Sequence, residues 1–93
     1  MISVCIATYN GEKYIKEQIE SILCQLAPDD EIIISDDGSK DKTLDIVQSL
    51  NDTRIKVFQN KGRHGVVPNF GNALRQAQGD FIFLSDQDDV WMP

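Results

Sequence analysis

The sequence predicts an α/β fold, a parallel sheet covered by helices on both faces. Short apolar runs alternate with amphipathic stretches in the order β-α-β-α-β-α-β, which calls for parallel strands joined by helical crossovers. Most of the runs are close to continuously apolar, as strands buried between two layers must be. Polar clusters follow the first, second and fourth runs, at Thr8-Tyr9-Asn10, Asp36-Asp37 and Asp86-Gln87-Asp88-Asp89. Right-handed crossovers put all strand C-termini on one edge, so clusters distant in sequence converge on one crevice. Open α/β sheets bind ligands at that edge, where the strand order reverses.

Each element has its own signal. Ile2 to Ala7 reads as the first strand, broken by Thr8-Tyr9-Asn10-Gly11. From Lys13 to Leu26, apolar residues at 15, 19, 22, 23 and 26 form the stripe of an amphipathic helix, which Pro28 ends. Glu31 to Ser35 is the second strand, and Asp36-Asp37-Gly38-Ser39 is the turn after it. Ser39 or Asp41 can cap the second helix, whose inward residues are Leu44, Val47 and Leu50. Ile55 to Phe58 alternates as a strand at a sheet edge does. Asn60 to Gly65 is a loop carrying Lys61, Arg63 and His64. Pro68 suits the first turn of the third helix, where its missing N–H does no harm, with Phe70, Leu74 and Ala77 facing inward and Gly79 closing it. Phe81 to Leu84 reads as a short buried strand.

Ninety-three residues of ordinary apolar content make one small globular domain or half of a larger one. A net charge of −6 argues against nucleic acid or an anionic membrane as the main partner. Cys5 and Cys24 have no CxxC spacing and read as small core residues of a reducing compartment. The absence of a signal peptide or a bilayer-length apolar run leads to an expectation of a cytoplasmic location.

Three carboxylates lie within four positions at Asp86, Asp88 and Asp89. Two carboxylates about 5 Å apart, at an effective dielectric of about 20, repel by roughly 3 kcal/mol. A divalent cation with oxygen ligands relieves that repulsion; a solvated acidic turn is the plainer alternative. Other chemistries lack their motifs: there is no GxGxxG after the first strand, no GxxxxGK[ST] and no GxSxG, and the single histidine, His64, sits in a loop.

ISVCIATYN (2–10), ISDDGSKDKT (34–43) and GDFIFLSDQDDVW (79–91), in this order, resemble the family 2 glycosyltransferases. The resemblance implies a GT-A, Rossmann-like fold with strand order 3-2-1-4, and residues 1–93 as its nucleotide-diphospho-sugar-binding part, ending before the acceptor-binding half. It implies an inverting transferase that takes a UDP-sugar or dTDP-sugar donor and a saccharide or lipid-linked saccharide acceptor, in bacterial surface polysaccharide synthesis, at the cytoplasmic face of the membrane in a longer protein. By the same resemblance Asp37 accepts the uracil or thymine N3–H, while Ala7 and Tyr9 line the base. Asp88 is the direct ligand of Mn²⁺ or Mg²⁺, and Asp86 lies nearer the ribose and the metal's water shell. Asp36 shapes its turn, and Asp89 supports its loop. Many members carry an Arg-Asn pair early in the third helix where this chain has Phe70-Gly71, so Lys61, Arg63 or Arg75 would have to substitute, and Arg63 is taken as the candidate cation for the nucleotide. The base is expected beyond Pro93. With strand order 3-2-1-4 the fourth strand becomes an edge, so self-association through Phe81 to Leu84 is expected. The alternative is a non-catalytic Rossmann-like module that binds a nucleotide or a partner protein.

Overall fold

The structure, a computed structural model, describes residues 1–86. The elements run β1 (Ile2–Thr8), α1 (Ile15–Leu23), β2 (Glu31–Asp36), α2 (Thr43–Ser49), β3 (Ile55–Gln59), α3 (Val66–Gln76) and β4 (Phe81–Asp86). All pairings are parallel and the order is β3-β2-β1-β4, so the expected order holds.

Residues level with one another across a parallel sheet point to the same side, and the register sorts the core accordingly. Val4 and Ile6 pair with Ile32 and Ile34, and all four are buried under Ile15, Ile19 and Ile22 of α1 and Val47 of α2. Each such side chain contributes about 1.5–3 kcal/mol when fully buried. The opposite face is smaller: Cys5 and Ile33 lie against Ala73 of α3, with Phe58 and Ala77 beside them. Burial pushes the Cys5 thiol up to about 11, with the charge of Glu31 adding to it. Cys5 is therefore an inert core residue.

Several local expectations are corrected. The inward face of α3 is Asn69 and Ala73, whereas Leu74 is 40% exposed. Ala73 packs on Cys5 and Ile33 of the sheet, and Asn69 is buried one turn before it. Cys24 is exposed, not in the core. The first helix stops at Leu23, well before Pro28, and Lys42 rather than Ser39 or Asp41 occupies the N-cap of α2. Asp41 nonetheless accepts the Thr43 N–H from one position further out. Phe81, Ile82, Phe83 and Leu84 are exposed rather than buried: β4 is a sheet edge and these side chains lie outside both core clusters.

Gly79 does not close α3, which ends at Gln76; it lies against β1 instead. There its N–H donates to Ser3 Oγ, whose hydroxyl donates to the buried carboxylate of Glu31 (2.6 Å). Lys56 Nζ and the Gln78 N–H also donate to Glu31, each at 2.8 Å. Burial would raise the Glu31 carboxyl, but these donors hold it below its ordinary value. This knot ties together β1, β2, β3 and the α3–β4 connection at the sheet end opposite the crevice. Among the described residues no helix is long and apolar enough to cross a membrane.

Candidate nucleotide-binding crevice

The C-terminal edge of the sheet carries three loops that hold one another in place. Asn10 takes a left-handed conformation (φ 51°), which its short polar side chain tolerates. Its N–H donates to Ser39 Oγ (2.9 Å) and its Oδ1 accepts from the Lys40 N–H (2.8 Å). The Gly11 N–H donates to Thr43 Oγ1 and the Glu12 N–H to Asp41 Oδ2. The loop after β1 is thus stitched to the loop after β2.

Asp36 anchors this arrangement from within. It is fully buried, and its two oxygens take four donors: Thr8 Oγ1–H (2.7 Å), Ser39 Oγ–H (2.6 Å), Ser39 N–H (2.8 Å) and Gly38 N–H (3.1 Å). A carboxylate whose oxygens accept N–H groups two and three residues on is an Asx-type turn. The turn needs Gly38 at φ 86°, a conformation that costs a residue with a Cβ. The expectation that Asp36 shapes the turn agrees with this geometry.

Asp37, the next residue, points the other way, to the loop after β3. Oδ1 accepts from Asn60 Nδ2 (3.0 Å) and meets His64 Nδ1 at 2.8 Å; Oδ2 accepts from the Gly65 N–H (2.9 Å). Burial alone would push the Asp37 carboxyl up, yet the Gly65 N–H, His64 and Asn60 together hold it below the ordinary range. An ionised carboxylate has no proton to give, so His64 Nδ1 carries the hydrogen and donates. Asn60 organises the rest of the loop, donating also to the Arg63 carbonyl (2.8 Å) and accepting from the Gly62 N–H.

The floor is a second polar cluster. Ser35 Oγ donates to Asn69 Oδ1 (2.6 Å), Asn69 Nδ2 donates to the Thr8 carbonyl (3.3 Å) and Asn72 Nδ2 donates to Ser35 Oγ (2.9 Å). These bonds dock α3 beneath the ends of β1 and β2.

Of the residues singled out from sequence, the structure gathers Ala7, Tyr9, Asp37, Arg63 and Asp86 on this edge. Ala7 is half-buried in β1, level with Ser35 on one side and Asp86 on the other. Tyr9 is 49% exposed, and Arg63 sits on the exposed loop through its carbonyl bond to Asn60. Asp86 ends β4, and Asp88, the expected metal ligand, lies outside the described residues. Among the described residues no group of three His, Cys, Asp or Glu side chains is placed to hold a metal ion. Sequence reasoning missed Asn60, His64 and Asn69 as partners of the site. Only Asn69 had a usable signal, its four-residue spacing from Ala73 and Ala77 along one helix face.

An open parallel sheet with a polar crevice at its strand C-termini defines the class of α/β ligand-binding folds. Within that class the chain belongs to Glycosyl transferase family 2, whose family profile matches residues 3–93. It is 38% identical over 92 residues to the Escherichia coli UDP-Glc:alpha-D-GlcNAc-diphosphoundecaprenol beta-1,3-glucosyltransferase WfaP, covering 99% of this chain and 37% of that one. Among solved structures, S. aureus TarS 1-349 in complex with UDP-GlcNAc superposes with a TM-score of 0.81 at 36% identity, over 94% of this chain and 27% of that one. Glucosyl-3-phosphoglycerate synthase from Mycobacterium tuberculosis, in complex with Mn²⁺, UDP and glucosyl-3-phosphoglycerate, gives a TM-score of 0.81 at 26% identity, over 94% of this chain and 33% of that one. The chain spans about a third of the length of the curated relatives it matches.

Proposed function

We propose that this chain is the donor-binding part of an inverting glycosyltransferase that moves a sugar from a UDP-sugar or dTDP-sugar to a hydroxyl of a saccharide or lipid-linked saccharide, in bacterial surface polysaccharide synthesis. The observation that carries the proposal is the placement of Asp37, an ionised acceptor at the rim of the crevice, in a family whose solved members hold UDP and UDP-GlcNAc. In this reading Asp37 accepts the N3–H of uracil or thymine, Ala7 and Tyr9 line the base, and Arg63 faces the nucleotide's charge. Asp88, with Asp86 beside it, would hold Mn²⁺ or Mg²⁺; a bound divalent cation neutralises the charge that grows on a departing diphosphate.

The acceptor hydroxyl attacks the anomeric carbon from the face opposite the diphosphate, the bond to the diphosphate oxygen breaks, and the hydroxyl proton passes to a carboxylate base. That base belongs to the part of the relatives' length that this chain does not span. The lipid-linked substrate named for the E. coli relative supports action at a membrane surface, and we place it at the cytoplasmic face. The exposed apolar residues of β4 support self-association of the isolated chain.

Calorimetric titration with UDP and CDP, with and without Mg²⁺ or Mn²⁺, tests the reading. Asp37→Ala is expected to weaken UDP by roughly tenfold, the scale of one hydrogen bond to a charged group, and to leave CDP little changed because cytosine has no N3–H. Asp88→Asn is expected to remove the metal dependence. Equal losses for UDP and CDP in Asp37→Ala would make Asp37 a turn residue only.

A further inference from the structure

The three donors on Asp37 are not equivalent. The Gly65 N–H is backbone, set by a turn at φ 120°. Asn60 is 7% exposed and its amide is also committed to Arg63 and Gly62. His64 alone among them is an exposed side chain: its ring is 75% exposed and meets Asp37 through Nδ1. A χ1 rotation releases that ring to water and leaves the other two donors in place. An exposed pair of this kind shifts an equilibrium by only about two- to fivefold.

The rotation frees an acceptor position on Oδ1, which then keeps the Asn60 donor alone. An imide N–H in a pyrimidine ring is a planar ring donor, as imidazole Nδ1–H is, and both approach a carboxylate oxygen in its plane. We infer that His64 is the exchangeable donor on Asp37: its ring N–H holds the position that the nucleobase N3–H takes, and base binding turns the ring out. The inference rests on the reading of Asp37 as the base acceptor. His64 then sets affinity by competition.

The test is UDP and CDP affinity by calorimetry, with Mg²⁺ present, for wild type, His64→Ala, His64→Gln and Asp37→Ala. His64→Ala is expected to bind UDP about two- to fivefold more tightly than wild type. His64→Gln, whose amide can still donate to Asp37, is expected to bind UDP no more tightly than His64→Ala. Because His64 is the single histidine, its ring proton resonances report directly, and saturating UDP is expected to move them toward those of an imidazole in water. Equal or weaker UDP binding by His64→Ala, with Asp37→Ala still losing its uridine preference, overturns the exchange and makes His64 a ligand contact or a bystander. If Asp37→Ala keeps its preference for UDP over CDP, the base-acceptor reading fails, and the exchange falls with it.

Discussion

Replacing Asp36 by Asn separates the turn that builds the crevice from the ligand contacts it presents. Four donors converge on the buried Asp36 carboxylate, two hydroxyls on Oδ1 and two backbone N–H groups on Oδ2. Asparagine keeps one acceptor oxygen and puts an NH₂ where the other stood. The oxygen best serves the two N–H groups, which cannot reverse; the NH₂ then faces Thr8 and Ser39, whose hydroxyls rotate to accept. Ser39 Oγ already accepts the Asn10 N–H, so its hydroxyl loses its acceptor. Bonds to a charged group are worth about 1.5–3 kcal/mol and neutral ones about 0.5–1.5 kcal/mol, which across four bonds gives a loss of roughly 4–6 kcal/mol. For a domain of this size that lowers Tm by roughly 15–50 °C, a large part of a total stability of about 5–14 kcal/mol. Urea and thermal unfolding followed by circular dichroism read it, and amide spectra of the folded variant show whether shifts concentrate at residues 8–11 and 36–43. A loss below about 1 kcal/mol would mean that Asp36 is not the acceptor on which the turn depends.

Gly79→Ala places a Cβ 2.6 Å from Ser3 Oγ and 2.7 Å from the Ser3 backbone nitrogen, so part of the clash cannot be relieved by a rotamer. A loss of about 1–3 kcal/mol or more is expected on urea unfolding, and wild-type stability would show that β4 can shift away from β1. Acid unfolding follows from Glu31, Asp30, Asp37 and Asp52, whose carboxyls are all held low in the fold. A depressed carboxyl contributes stability above its unfolded value and loses it as pH falls through the folded one, so the urea midpoint should drop below about pH 4.3. Glu31→Gln should make that acid limb shallower, and an unchanged slope removes Glu31 from the account. Sedimentation velocity over a concentration series should show dimers or larger species through β4, where Phe81 is 67% and Leu84 57% exposed and no lysine or proline guards the strand. A Phe83→Lys variant should shift the distribution to monomer, and a monomeric wild type at high concentration would refute the edge argument.

What the sequence determined by itself was the layered architecture. The period of apolar residues is a local property, so four strands, three helices and their order were legible, and parallel pairing followed from the helical crossovers. The convergence of the ends of β1, β2 and β4 was legible for the same reason, as was Asp36 as a turn residue, because its partners Gly38 and Ser39 are its neighbours. What only the tertiary structure decided was who meets whom across the crevice. Asn60, His64 and Gly65 reach Asp37 from 23, 27 and 28 residues away, a distance over which no periodicity runs. The face of α3 was also decided there: Phe70 and Leu74 make the more hydrophobic stripe, but the sheet under the helix requires Ala73 for close approach and Asn69 to satisfy Ser35 and the Thr8 carbonyl. The exposure of β4 followed from the strand order that the resemblance implied and not from the run itself, since an apolar run reads the same at a sheet edge as at its centre. Hydrophobicity predicts that a residue is buried somewhere, whereas packing space and unpaired polar groups decide which one and against what.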